Sequence, residues 1–278
     1  MHSTPLLASL LLVATCTPLL AAHGDHAGPA ADSRPAWTHY PLLQMGGARG
    51  AATVRPSGIA AGEVEIIGPS DLAPTLRQPL AAGAARLEPA TPGSGNYHWL
   101  QARSESSDTV AVASSVWYVS NPGPAPTALL ARVKSELEIV PQPLPREHGS
   151  YRESEKWRFL VRFWGKPLAG QALVLETEHG SRSRFVTDAG GEATVLFPRD
   201  FPAAADGGDA PRRAAFVLAA EKTMGDRHYL TAFNATYSPD ADRHRSLAWG
   251  TAFGLLGMVA ATPLLRRRPA APGDRNHD

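Results

Sequence analysis

The sequence predicts an all-β fold of two β-sandwich domains, and three observations lead to it. Glycine and proline, 25 residues of each among 278, interrupt short apolar runs, as turns do between strands. Within these runs the apolar residues recur with a period of two, which is typical of strands. Almost no helical periodicity lies between the two ends, and hydrophobic residues make up 43 % of the chain, enough for a core.

Composition excludes several classes of function. A formal net charge of +1 argues against a nucleic-acid binder, which carries a basic face. The single cysteine, Cys16, excludes a disulfide framework, a cysteine-ligated zinc site and an iron–sulfur protein. The chain contains no nucleophile elbow, phosphate-binding loop or dinucleotide fingerprint, and no Ser–His–Asp set stands out. We therefore predict a protein that is not an enzyme.

The N-terminal segment predicts export from the cytoplasm. An apolar run from Pro5 to Ala22 has the length of a secretory h-region, and two alanines at its end suit cleavage. Because the n-region carries no Lys or Arg, an uncleaved anchor is the alternative. Lipidation of Cys16 is disfavoured by Thr15 before it. Cleavage after Ala22 gives a mature chain that begins at His23.

Residues 246–265 predict a single transmembrane helix. These twenty residues carry no charge and match the hydrocarbon thickness of a bilayer. Trp249 stands where an interfacial aromatic residue is expected, and three arginines from Arg266 place the tail in the cytoplasm. The alternative is a buried helix of a soluble domain. The predicted location is the bacterial inner membrane, with one span and the preceding domains in the periplasm.

The first predicted domain contains a clear strand pair. The polar loop 104–108 separates the two strands, and Tyr97 and Trp99 alternate on the first of them. The apolar residues that share one face of the second strand are Val110, Val112, Val116 and Tyr118. The proline-rich run 121–126 ends this domain.

The second predicted domain starts with the strand Leu137–Val140, after which a longer strand alternates strictly. Its apolar face consists of Trp157, Phe159, Val161 and Phe163. Arg158 and Arg162 lie on the opposite face. A last hairpin runs from Ala214 to Tyr237 and turns at 224–226.

These boundaries predict the organisation of the whole chain. The segments are a signal peptide 1–22, a flexible histidine-containing arm 23–36, a first β-sandwich 37–121, a linker 122–136, a second β-sandwich 137–238, a transmembrane helix 246–265 and a cytoplasmic tail 266–278.

A phrase in the second half resembles a known group of modules. It reads GKPLAG at 165–170, before a strand, and TDAGG at 187–191, after the next. This pattern is similar to transthyretin-like, carboxypeptidase-regulatory-like and related immunoglobulin-type modules. Glycine and proline set the turns, and Asp188 is expected to cap the turn backbone. The resemblance implies β-sandwiches of the Ig-like or transthyretin-like type and no particular chemistry.

The whole arrangement resembles a bacterial periplasmic family of unknown function. That family is labelled a nickel-uptake substrate-specific region or a periplasmic component of cobalt transport. The shared features are the signal peptide, two β-domains, the sequence LEIVP at 137–141 and the C-terminal membrane helix. The resemblance implies an envelope transport system that handles nickel or cobalt. Its implied partners are the inner membrane and an envelope protein or metal-transporter component.

The candidate metal ligands are His23, Asp25 and His26. An N-terminal histidine offers its amine and its imidazole together, and the other two residues add an oxygen and a nitrogen. Nickel, cobalt, copper and zinc ions accept such ligands. The alternative is a solvated arm that binds no metal. The histidines at 39, 98, 148, 179 and 228 are scattered, and each is interpreted as a surface or structural residue.

The sequence therefore predicts a membrane-anchored periplasmic binding or accessory protein that handles a nickel, cobalt or copper ion. The alternative is a structural or protein-interaction adaptor of the cell envelope that binds no metal.

Overall fold

The computed structural model describes residues 35–47, 52–69, 75–87, 96–119, 123, 125–146, 150–202, 213–240 and 247–265. Strands dominate this part of the chain, as the sequence predicts. In chain order the elements are β1 (Leu42–Gly46), β2 (Ala52–Ser57), β3 (Glu63–Ile67), β4 (Thr75–Pro79), β5 (Ala85–Leu87), β6 (Tyr97–Glu105), β7 (Thr109–Tyr118), α1 (Thr127–Ala131), β8 (Leu137–Gln142), β9 (Tyr151–Arg152), β10 (Lys156–Phe163), β11 (Lys166–Pro167), β12 (Ala172–Thr177), β13 (Arg182–Val186), β14 (Glu192–Leu196), β15 (Ala214–Met224), β16 (Arg227–Ser238) and α2 (Leu247–Leu265).

The described strands form three sheets. The central sheet has the strand order β13-β12-β15-β16-β7-β6-β3-β4, and β9 also pairs with β16. In the four-stranded sheet, β10 pairs with β8, β11 and β14. The three-stranded sheet has the order β1-β2-β5.

Two hydrophobic cores lie on opposite faces of the strands from the first half. Trp99 and Val112 point into the core shared with the four-stranded sheet, which also contains Phe159 and Phe216. Their neighbours Leu100 and Ala113 point into the core shared with the three-stranded sheet. Because successive side chains alternate across a strand, β6 and β7 serve both cores at once. This confirms the face predicted for Val110, Val112, Val116 and Tyr118, all of which pack in or against the first core.

The two predicted sandwiches share one sheet in the structure. Strand β16 pairs in parallel with β7, from His228 opposite Thr109 to Phe233 opposite Ser114. The hydroxyl of Ser114 also donates to the Ala232 carbonyl at 3.0 Å. A strand that precedes the predicted linker 122–136 is therefore paired with a strand that follows it. Parallel pairing needs a long crossover, which here spans more than a hundred residues, so the local pattern of neither strand shows it.

The residues leading into β1 and the first residues of β1 pack on the central sheet. Tyr40 and Leu42 bury their side chains against Val217 and Ala232. The Asn234 side chain then accepts from the Leu43 amide at 2.8 Å and donates to the Leu43 carbonyl at 2.9 Å. One side-chain amide thus replaces a strand partner for this backbone.

The predicted linker contains the short helix α1, which the sequence does not predict. Its Leu129 is fully buried in the first core. The Arg162 guanidinium donates to the carbonyls of Ala131 at 2.9 Å and Leu130 at 3.3 Å. Arg162 does lie on the face of β10 opposite Phe159, as predicted. It is nevertheless buried, because the end of α1 covers this face and its free carbonyls need donors.

Three charged side chains form a buried cluster beside α1. The Glu138 carboxylate lies 3.0 Å from Arg162 Nη2 and 3.4 Å from Lys134 Nζ. Lys134 also donates to the Leu129 carbonyl at 3.1 Å and stands 4.7 Å from the centre of the Trp99 ring. Burial lowers the pKa of the Lys134 ammonium to about 8, although Glu138 opposes this shift.

Stability is expected to depend on pH through Lys134. Its pKa in the folded chain, about 8, lies below the ordinary value of 10.5, so the unfolded chain binds this proton more tightly. Between these two pH values the folded state therefore gains stability as pH rises. Urea denaturation measures the free energy of unfolding at pH 7.5 and pH 10. From the lower to the higher pH, this free energy should rise more for wild type than for Lys134→Met. Lys166→Met, at an exposed lysine, serves as the control. The prediction is contradicted if the difference in unfolding free energy between wild type and Lys134→Met is the same at both pH values.

The turn at Asp188 confirms its predicted cap. The Asp188 carboxylate accepts from the amides of Gly190 at 2.8 Å and Glu192 at 2.9 Å. Gly191 adopts a φ of +74°, and a Cβ there would lie 2.8 Å from the Leu168 amide nitrogen. The position therefore requires glycine for its backbone angle and for space.

Helix α2 coincides with the segment predicted to cross the membrane, 246–265. Among the residues that the structure describes, however, no helix combines the length and apolarity needed to cross a membrane. The predicted signal peptide 1–22 and tail 266–278 lie outside the described residues. The predicted inner-membrane location stays a prediction.

Candidate functional site

The predicted metal ligands, His23, Asp25 and His26, lie outside the described residues. Within the described ranges, no group of three or more His, Cys, Asp and Glu side chains is placed to hold a metal ion. The metal site and its nickel, cobalt or copper ion therefore stay predictions.

A titration of the mature protein tests the metal prediction. If the arm binds the ion through its two imidazoles, the double variant His23→Ala, His26→Ala should lose at least about tenfold in affinity, or about 1.4 kcal/mol. The measurement is calorimetric titration with Ni(II), Co(II) and Cu(II). A His39→Ala variant controls for imidazole loss elsewhere. Equal affinities of wild type and double variant contradict the prediction.

The other histidines do not gather into a site. His148 lies outside the described residues. The remaining four have separate surroundings: His39 is 4.0 Å from Glu176, the His98 ring is tilted against the Trp117 ring, His179 and Phe201 meet edge-on, and His228 is 3.6 Å from Glu221. Burial lowers the pKa of His98. These placements fit a surface or structural role for His39, His179 and His228, whereas buried His98 has no hydrogen-bond partner at Nδ1 among the described residues.

A cleft opens where β7 ends its pairing with β16. The last pair joins Ser114 to Phe233, and β9 pairs with β16 only from Tyr151 opposite Tyr237. Between these points no described strand pairs with this side of residues 234–236. The opening has a volume of about 370 Å³ and is lined from both halves of the chain.

Aromatic rings form one wall of the cleft. Tyr97 and Tyr118 face each other across β6 and β7, with ring centres 5.1 Å apart. The Tyr97 hydroxyl donates to the Pro145 carbonyl at 3.1 Å, which holds the segment after β8 at the rim. Phe233 lines the cleft from β16. The register of β6 and β7 thus fixes Tyr97 and Tyr118 beside each other, and the Tyr97 hydroxyl holds the segment after β8 next to them.

Tyr151 lines the cleft from β9 and carries an unused polar group. Its ring is buried, with centres 5.1 Å from Phe216 and 5.4 Å from Phe197. In the part of the chain that the structure describes, the Tyr151 hydroxyl has no hydrogen-bond partner. Burial raises its pKa, so the hydroxyl stays protonated and keeps its ability to donate.

Two arginines bring positive charge to the cleft. Arg146 follows β8 and Arg213 precedes β15, and both are exposed and line the opening. Within the described ranges, neither guanidinium is paired with a carboxylate, and no described lining residue is acidic. The cleft therefore offers rings, hydroxyl groups and two guanidinium groups that no described carboxylate neutralises.

Sequence reasoning did not identify this site. It placed Tyr97 and Tyr118 on the apolar faces of their strands, which the structure confirms, but gave them no function. Arg146 follows the proline-rich run 141–145 and Arg213 follows an alanine- and glycine-rich segment, and neither stretch has a strand or helix period. No short-range signal joins these residues, because the parallel pairing of β7 with β16 brings them together.

Comparisons with known proteins add little to this geometry. No protein-family model and no curated protein matches the chain. A solved structure of a 1.5-MDa bacterial ice-binding adhesin is similar at a TM-score of 0.25 and 12 % identity, over 72 % of this chain and 65 % of that one. A two-domain fibronectin type-III segment of chicken tenascin is similar at a TM-score of 0.22 and 8 % identity, over 71 % and 98 %. Structural similarity at these TM-scores supports no inference about this chain. The resemblance to the nickel-uptake family stays a prediction.

Proposed function

We propose that this chain is a non-enzymatic binding module whose ligand occupies the cleft between β7 and β9. The observation that carries the proposal is the interruption of strand pairing along residues 234–236, which opens about 370 Å³ between the two halves. Sites for small ligands are typically clefts of roughly 300–1,000 Å³ with apolar walls and a few polar groups.

The chemical character of the lining supports binding. The described walls combine the rings of Tyr97 and Tyr118 with hydroxyl groups of Ser150 and Thr236. Such a set holds a ligand by contact and hydrogen bonding. The Ser150 hydroxyl is already 2.9 Å from that of Ser238, so it is oriented by a neighbour.

The setting of this function is also part of the proposal. The apolar segment 5–22 supports export to the periplasm, and attachment to the inner membrane is proposed only from the uncharged run 246–265 and the three arginines after it. The turn at Asp188 supports the Ig-like or transthyretin-like type of the second half. A role in metal transport is a separate proposal that depends on residues 23–26 alone.

Filling the cleft tests the proposed function. Ala235→Trp, and Val116→Trp from the opposite wall, should each weaken binding of small ring compounds at least about tenfold because the new side chain takes the ligand's space. Saturation-transfer NMR of the full chain with indole, phenol, benzoate and phenyl phosphate measures binding. Thr194→Trp, exposed on β14, is the matched control. The proposal fails if none of the four compounds binds, or if binding survives both cleft variants.

A further inference from the structure

We propose that the ligand of this cleft is a small ring compound carrying a carboxylate or phosphate group, and that Arg146 and Arg213 bind the anionic group. This inference rests on the proposed function and adds the chemical class of the ligand.

The two guanidinium groups at the cleft differ from most arginines of the described strands. Six of those arginines lie beside a carboxylate: Arg77, Arg103, Arg158, Arg162, Arg182 and Arg227. Arg146 and Arg213 come from separate segments, converge on one opening and have no carboxylate partner among the described residues. Two cations without a counter-charge attract an anion, and a guanidinium binds carboxylate or phosphate through two parallel hydrogen bonds.

The walls select the rest of the ligand. Tyr97, Tyr118 and Phe233 present ring surfaces, and Val116 adds an apolar contact. Aromatic side chains favour a second ring in a stacked or edge-on arrangement. A volume of about 370 Å³ lies at the small end of ligand sites, so one substituted ring fits better than an extended chain.

Tyr151 provides a second, independent indication of a ligand. Its side chain is 3 % exposed, and its hydroxyl has no partner among the described residues. Buried hydroxyl groups are normally hydrogen-bonded, because leaving one unpaired is unfavourable. Because Tyr151 is among the residues that line the cleft, the proposal assigns its hydroxyl as a donor to an oxygen of the ligand. The Ser150 and Thr236 hydroxyls offer further donors to the same oxygen atoms.

Four probes separate the parts of this inference. Benzoate and phenyl phosphate contain ring and anion, benzamide contains the ring without charge, and inorganic phosphate contains the anion without the ring. Calorimetric or NMR titration of the full chain should show benzoate or phenyl phosphate binding at least about tenfold more tightly than benzamide and inorganic phosphate. The stronger of the two anionic ring compounds identifies the anionic group.

Charge removal supplies the decisive variant. Arg146→Gln combined with Arg213→Gln should weaken binding of the anionic ring compound at least about tenfold and leave benzamide binding unchanged. Both arginines are exposed, so folding should be unaffected. Arg158→Gln combined with Arg184→Gln, two exposed arginines on other strands, is the matched control and should bind as wild type does. Binding should also weaken as salt is raised.

The outcomes distinguish the inference from the proposed function. Equal binding of benzamide and benzoate, lost in the cleft-filling variants, supports a binding module but overturns an anionic ligand. Equal binding of inorganic phosphate and phenyl phosphate overturns the requirement for a ring. Anion binding that survives removal of both arginines overturns their role. Failure of all ring compounds to bind overturns the proposed function as well.

Discussion

Glu138→Ala should destabilise the fold by about 3–5 kcal/mol. Its carboxylate is the counter-charge of both Lys134 and Arg162, at 3.4 Å and 3.0 Å, and it also accepts from the Lys134 amide at 2.9 Å. All three side chains are buried. Removing one partner of a buried ion pair leaves a charge without compensation, and losses of this size follow. Here two cations lose their partner at once.

Chemical denaturation followed by circular dichroism measures this loss. The matched control is Glu192→Ala, whose carboxylate lies 3.4 Å from Arg158 in an exposed pair. Exposed pairs contribute about 0–1 kcal/mol, so the control should remain close to wild type. If Glu138→Ala loses no more stability than Glu192→Ala, the buried cluster does not hold α1 and β8 together.

Phe233→Ala should cost about 3–5 kcal/mol, which is the usual loss when a buried phenylalanine is truncated. Its side chain is 1 % exposed. The ring stacks on Trp99 from the first half, with centres 5.6 Å apart, and lies 6.2 Å from Phe159 of the second half. The cavity would therefore open in the core that both halves share.

The shape of the unfolding curve tests this shared core. Because β16 joins β7 and both halves pack around Phe233, wild type and variant should each unfold in a single transition, with the variant at lower denaturant. Tryptophan fluorescence and far-ultraviolet circular dichroism should give the same midpoint. Val186→Ala, exposed on β13, is the control and should change stability by less than about 0.5 kcal/mol. Two separate transitions would contradict a common core.

Much of the local structure follows from the residues alone. The alternation along 157–163 predicts β10 and its apolar face, and Phe159, Val161 and Phe163 are buried there. The hairpin predicted from Ala214 to Tyr237 is observed as β15 and β16, extended at the turn. These successes share one cause, because strand periodicity and turn chemistry act between residues close in sequence.

Far less of the candidate site than of the local structure can be predicted from the sequence. The sequence pattern predicts the apolar strand faces that carry the aromatic residues of the cleft. Arg146 and Arg213, however, stand in segments without periodicity. Their importance depends on where strand pairing stops, at Phe233, and where β9 resumes it, at Tyr237. Arg162 shows the same limit, because a residue on the outer face of a strand is buried once α1 covers it.

Short-range alternation and backbone angles already dictate the all-β character, the strand faces and the turn at Asp188, so these features can be predicted from the residues alone. Three further features depend on long-range packing: both halves share one sheet, α1 covers Arg162, and a cleft opens beside residues 234–236. The physical reason is that backbone hydrogen bonds are alike along every strand. Which strand becomes the partner is decided by packing between residues more than a hundred positions apart, as β7 and β16 are.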